Sequence, residues 1–426
     1  MTLRFLILAW LLGSSLAFAD DDTLIVATDN DQEITVHVYP NEADTPLLIW
    51  LEELDDARPA FESLMLDLQA NGFTVWRTNL LDAFFLERSP TNVRGLDGRG
   101  VLALLRKAET TGQPYMLVSA DRMSIPSLRG ARRWQAEMPA GHHFLGAALV
   151  YPNLFEPAPP AGIEPELMSI TRHSSAPIYL LQPEYGALRS RMTTLLDALG
   201  TGGAPTFSRI VPKVRDWYFM HERGENPDED AATAQMPRHL LEATKLLGKI
   251  APRMPRGMAA EFPDPTPTTH VRRGLIAFPD TPAAPGYRLS ATLGGEQSFD
   301  DVRGKVALVN FWATWCPPCV HEIPSMNRLA QQFRTDQFRI VSINFKEDPA
   351  HIREFMNKVQ VDFPVLIDPQ GHTADAWRVF AFPSSFLIDR AGRIRYSVNS
   401  AIEWDTTEAI TPIQGLIAED TSLPAH

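Results

Sequence analysis

The stretch Val306–Pro324, VALVNFWATWCPPCVHEIP, constrains this chain more than any other, because it carries both of its cysteines. Cys316 and Cys319 sit two residues apart, after an apolar run suited to a buried strand and before a run with helical spacing. A sulfur at the first turn of a helix meets backbone N–H groups that have no intrahelical partner, and the helix dipole favours its thiolate. Thiolate is the attacking species in disulfide exchange. The spacing therefore predicts Cys316 as the nucleophile. Cys319, one turn on and more buried, is predicted to resolve the mixed disulfide that Cys316 forms. A static cross-link is the competing reading, but closing so short a loop restricts little of the unfolded chain and stabilises little. Pro317 and Pro318 fit a first helical turn, where a missing N–H costs nothing, and they stiffen the loop.

The rest of the chain must be read as accompanying this dithiol. At 426 residues it is long for one domain, and two domains with a linker are expected. A hydrophobic content of 44% and a charged content of 21% are those of a folded protein. The net charge of −13 argues against nucleic acid or an anionic membrane surface as the main partner. Residues 1–19 have the form of a secretory leader: Arg4, an apolar run Phe5–Leu12, and Ala17-Phe18-Ala19 before the cleavage point. That predicts a periplasmic, oxidising location. With no cysteine after the apolar run, a lipoprotein anchor is not expected.

Residues 20–250 alternate strand-like and helix-like segments, the pattern of an α/β layer fold with a mostly parallel sheet. Pro46–Leu51, Tyr115–Ser119, Phe144–Tyr151 and Ile178–Leu181 are apolar runs of strand length, and Ala60–Ala70 and Gly100–Glu109 have one apolar face at helical spacing. Glu222–Asp230 reads as a charged loop, and His239–Ile250 as the helix closing the domain. This order resembles the α/β-hydrolase fold, a three-layer domain, without a motif to support it. The glycines of the G-x-S-x-G nucleophile elbow are missing from Val118-Ser119-Ala120-Asp121-Arg122-Met123, and Asp121 stands at the nucleophile position. Relatives that hydrolyse halides and epoxides use an Asp there. On that resemblance Glu184 and His221, each following a later strand, supply an acid and a base. The other reading is a degenerate domain used for binding or as a scaffold. The adjacent His142 and His143 lack carboxylate or thiol neighbours and read as a polar loop; no metal or cofactor is expected.

Residues 251–285 are rich in proline and read as a semi-rigid linker, from which Leu275–Phe278 can still dock on a domain. From residue 286 to 426 the order is strand, helix, strand, helix, strand, strand, helix, with the C-x-x-C at the start of the first helix, which is the order of the thioredoxin fold. Asn310-Phe311-Trp312-Ala313-Thr314-Trp315-Cys316-Pro317-Pro318-Cys319, Glu322, Pro324 and the later Phe382-Pro383-Ser384-Ser385-Phe386 resemble the TlpA-like periplasmic thiol–disulfide oxidoreductases. The resemblance implies that Pro383 follows a cis bond beside the sulfurs. It also implies that Glu322 handles the Cys319 proton in place of the buried acid that Asn310 replaces. Trp312, Trp315, Pro317, Pro318, Phe382 and Pro383 are expected to contact a partner polypeptide. The implied function is reduction of protein disulfides, with electrons from a membrane thiol donor. Two alternatives stand beside it: a fusion in which the N-terminal domain hydrolyses or binds a substrate, and a thiol peroxidase.

Overall fold

The computed structural model describes residues 22–41, 46–52, 58–157, 159–261 and 274–419. The expected leader, 1–19, and linker residues 262–273 lie outside the described residues. Among those described, no helix is long and apolar enough to cross a membrane.

The N-terminal half is built on one eight-stranded sheet. Its strands are β1 (Asp22–Ala27), β2 (Glu33–Tyr39), β3 (Leu47–Leu51), β4 (Thr74–Thr78), β5 (Tyr115–Ala120), β6 (Phe144–Val150), β7 (Ile178–Pro183) and β8 (Thr206–Val211), in spatial order β1-β2-β4-β3-β5-β6-β7-β8. β1, β2 and β4 pair antiparallel, and β4 through β8 run parallel. The central strands β3 and β5 are buried along their whole length, which is why they read as continuous apolar runs. Separate apolar clusters cover the two faces of the sheet.

One local expectation differs from the structure, and one helix has no reading in the sequence: Ser124–Glu137, which follows the Asp121 turn. Pro227–Ala234, inside and beyond the segment read as a charged loop, is a helix: Pro227 occupies its first turn, and Asn226 caps it by accepting from the N–H of Asp228. The proline-rich segment is not a free spacer in its described parts. Gly257 N donates to Gln135 O at 2.8 Å, and Arg132 Nε to Ala259 O at 2.9 Å, fixing that part to the N-terminal half. Ile276–Ala277, within the stretch Leu275–Phe278 that can dock on a domain, joins the second sheet.

That sheet has six strands: β9 (Ile276–Ala277), β12 (Val306–Trp312), β13 (Phe338–Phe345), β14 (Val365–Asp368), β15 (Ser384–Ile388) and β16 (Ile394–Val398), in the order β14-β13-β12-β15-β16-β9. β10 (Arg288–Ser290) and β11 (Glu296–Ser298) form a separate hairpin. β12 is central and buried throughout, parallel to β13 and antiparallel to β15. Helix Pro317–Gln332 leaves its C-terminal end. This is the thioredoxin-fold arrangement.

The two halves touch through specific contacts. Ala161, from the loop after β6, is part of the C-terminal core. Gly162 next to it has φ +89, and a Cβ there would lie 2.9 Å from Phe386 and 3.0 Å from Phe278, so the close approach requires glycine. Arg191 pairs with Glu164 at 2.6 Å and donates to the Val379 carbonyl at 3.2 Å. Asn399 Nδ2 donates to the Pro159 carbonyl.

Candidate active site

Strand β12 delivers the chain to Cys316, which is the N-cap of helix Pro317–Gln332. Cys316 and Cys319 are joined as a disulfide. The Cys319 N–H points at the Cys316 sulfur at 3.3 Å, so an unpartnered donor of the first turn is already aimed at the attacking atom. Cys319 is fully buried, and Cys316 keeps 5% exposure. Pro317 and Pro318 are exposed on the first turn.

Glu322 lies one turn beyond Cys319, with 1% exposure. Its Oε1 accepts from Asn310 Nδ2 at 2.8 Å and its Oε2 from Trp404 Nε1 at 3.2 Å. Burial penalises the charged form and pushes the carboxyl up to about 7, against the pull of those two donors. Asn310 also donates to Ser385 Oγ at 2.9 Å, tying the carboxyl to β15. Trp404 was not foreseen, since it lies far along the chain with no local pattern around it. The Phe382–Pro383 bond is cis, and Pro383 is buried. Trp315 is 36% exposed and packs edge-on against Phe382, ring centroids 5.8 Å apart. Trp312, expected to contact a partner polypeptide, is 2% exposed and packs on Phe355 in the core, because it ends a strand buried at every position. Glu347 was also missed. It accepts from the Thr314 N–H at 2.7 Å and so anchors the loop before Trp315.

Cys316 opens into a cleft of about 470 Å³ between the two halves. Trp315, Pro317, Pro318 and Phe382 line one side. On the other are Asp121, Tyr185, Arg215, Asp216, Trp217 and His221, so two of the three N-terminal candidates reach the same space as the dithiol. Asp121 has φ +45 at the turn between β5 and helix Ser124–Glu137, a strained strand–turn–helix made without glycines, and it pairs with Arg122 at 2.8 Å. Glu184 does not join them. It is exposed and accepts from the Lys213 N–H at 2.8 Å. His221 instead pairs through Nδ1 with Glu229 at 2.5 Å, the carboxylate hidden by reading residues 222–230 as a loop.

Asp216, unforeseen, accepts from the Ala187 N–H through Oδ2 at 2.9 Å. Its Oδ1 is sealed from solvent and has no partner among the described residues. Burial, with the charge of Asp121 adding to it, raises this carboxyl to about 7. Gly186 makes room for it, since a Cβ there would lie 2.6 Å from Oδ1. Arg215 stands with its guanidinium 5.9 Å from the centre of the Trp315 ring, within cation–π range, and its Nε lies 3.6 Å from Glu229. Among the described residues no group of three or more His, Cys, Asp and Glu side chains is placed to hold a metal.

Residues 281–397 match the AhpC/TSA family. Thioredoxin-like protein YneN of Bacillus subtilis is 36% identical over 115 residues, 26% of this chain and 66% of that protein. Thiol-disulfide oxidoreductase ResA of Geobacillus kaustophilus is 32% identical over 125 residues, 29% of this chain and 72% of that protein. A solved thiol:disulfide interchange protein of the thioredoxin family from Chlorobium tepidum is 25% identical, with a TM-score of 0.28, and covers 33% of this chain and 99% of its own. The chain thus spans about two thirds of the length of the curated relatives it matches.

Proposed function

Because the chain belongs, through residues 281–397, to the AhpC/TSA family of thioredoxin-fold proteins, we propose that it is a thiol–disulfide oxidoreductase of the TlpA type, reducing protein disulfides in the periplasm. The observation that carries the reading is the Cys316–Cys319 pair at a helix N-terminus, above a buried carboxyl and open to a cleft. In the reduced protein, the Cys316 thiolate attacks one sulfur of a substrate disulfide. The other substrate sulfur leaves as a thiolate and takes up a proton. Cys319 then gives its proton to Glu322 and attacks Cys316, which releases the second substrate sulfur and restores the protein disulfide. Two electrons pass to the substrate. A membrane thiol donor returns them by the same exchange in reverse. A carboxyl near 7 suits Glu322 to this task, because at neutral pH it both accepts and releases a proton readily.

Trapping tests the proposal. Cys319→Ser leaves Cys316 unable to release its partner, so mixed disulfides should accumulate and disappear on reduction. Identical species with Cys316→Ser would defeat the reading.

Three observations favour a second reading, in which residues 20–250 form an α/β-hydrolase-like domain with its own activity. The strand order and the positive-φ Asp121 agree with such a domain, and Asp121 and His221 share a cleft. Ester turnover that is lost with Asp121→Ala or His221→Ala supports it, and turnover unchanged in both variants sinks it.

A further inference from the structure

Disulfide exchange needs only C-terminal residues, yet the cleft over Cys316 is walled on its other side by the N-terminal half. That wall is held by contacts away from the sulfurs, at Gly162, Arg191 and Asn399. The space left is about 470 Å³, within the range of roughly 300–1,000 Å³ typical of small-molecule sites. A folded partner would have to bring its disulfide inside this walled cleft to reach Cys316, which is only 5% exposed, whereas a small disulfide fits within it. The two sides are aromatic, Trp315 and Phe382 facing Tyr185 and Trp217. The Arg215 guanidinium, half-buried over the Trp315 ring with its Nε 3.6 Å from Glu229, brings a cation next to the redox motif, while Arg122 in the same cleft is paired with Asp121.

We infer that the N-terminal half is the second wall of the redox site, and that the cleft selects low-molecular-weight, carboxylate-bearing disulfides, of the size of short cysteinyl peptides, over disulfides on folded proteins. The inference rests on the disulfide-exchange chemistry proposed above and puts a small disulfide where that reading has a protein one. Trp315, Tyr185 and Trp217 hold the groups flanking the substrate sulfurs, and Arg215 meets a carboxylate. Cys316 thiolate forms the mixed disulfide with one half of the substrate and expels the other as a thiol. Cys319 then displaces the first half, also as a thiol. An external dithiol supplies the two electrons that reset the pair.

The test uses the full chain kept reduced by a dithiothreitol pool, with the uncatalysed reaction of dithiothreitol with each disulfide subtracted. The protein is mixed with oxidised glutathione, with the uncharged hydroxyethyl disulfide, or with insulin. The wild type should reduce oxidised glutathione with a kcat/KM about tenfold or more above that for insulin. Tyr185→Ala, at a side chain 37% exposed, should raise KM for both small disulfides and narrow the gap to insulin. Arg215→Ala should raise KM for oxidised glutathione alone, Arg215→Lys should restore it in part, and none of the three should move the potential of the Cys316–Cys319 pair. Insulin reduced as fast as oxidised glutathione by the wild type overturns the inference. So do wall variants that leave every KM unchanged, or an Arg215→Ala effect that appears only as a shifted potential. If none of the three disulfides oxidises the protein, the oxidoreductase reading itself fails, and that result is distinct from lost selectivity.

Discussion

Replacing Glu322 by Gln isolates the effect of burying a carboxyl beneath the disulfide. In the unfolded chain this group titrates at its ordinary value of 4.5, and in the fold burial raises it to about 7. Below pH 4.5 both states carry the proton, and the carboxyl makes no pH-dependent difference. Between 4.5 and 7 the unfolded chain releases it while the folded protein keeps it, so stability falls as pH rises. Above 7 both states are ionised and the full penalty is present. Moving the carboxyl from 4.5 to about 7 makes that penalty on the order of 3 kcal/mol. Gln cannot ionise, so the variant should lack this loss. It will carry a roughly constant offset of about 1 kcal/mol, because its amide NH2 must face one of the two donors that Glu322 accepts from. The measurement is urea unfolding of the oxidised protein at several pH values from 4.5 to 8, wild type against variant. Every other titrating group is common to both, so the difference between their pH slopes reports Glu322. Parallel slopes would refute the account of this carboxyl.

Other outcomes follow from the same geometry. Asp216→Asn removes a carboxyl that burial also holds near 7, so the variant should gain thermal stability over the wild type at pH 8 and lose that gain by pH 4. Gly130→Ala should cost about 1–3 kcal/mol in urea unfolding, since its Cβ would lie 2.3 Å from the Val101 side chain where helices Arg99–Glu109 and Ser124–Glu137 cross; an unchanged midpoint would contradict the packing described. Trp404→Phe deletes a donor to Glu322 and should raise its titration further, visible as a displaced pH dependence of unfolding. Peroxide consumption should stay at background while disulfide reduction proceeds; brisk peroxide turnover dependent on Cys316 would favour the peroxidase alternative.

The strands were legible because buried central strands such as β3, β5 and β12 are unbroken apolar runs. Helix Ser124–Glu137 was not, because its buried side includes Arg129, Arg132 and Gln135, which read as a polar surface, and Gly130, which packs against Val101. Arg129 is buried because its guanidinium donates to the Leu96 carbonyl at 2.8 Å, a partner that sequence spacing does not reveal. Helix Pro227–Ala234 was hidden for the opposite reason: Asn226-Pro227 signals a turn as readily as a capped helix start. At the site, Cys316, Cys319 and Glu322 share one helical stretch, so local spacing located them. Trp404, Glu229 and Asp216 act through partners on other elements, and nothing in the sequence around them marks those partners. The placing of the N-terminal half over the dithiol rests on loop residues such as Ala161 and Arg191, which carry no motif.

Reduction of other disulfides requires the Cys316–Cys319 pair to be a reversible two-electron couple of sufficiently negative potential. Equilibrating the full chain with defined glutathione or dithiothreitol buffers and counting free thiols measures its potential. A reducing couple should show one reversible transition at a potential more negative than about −180 mV, the region of reducing thioredoxin-like proteins. A pair that stays oxidised throughout, or one poised near −120 mV like a strong oxidant, would contradict the reductase reading.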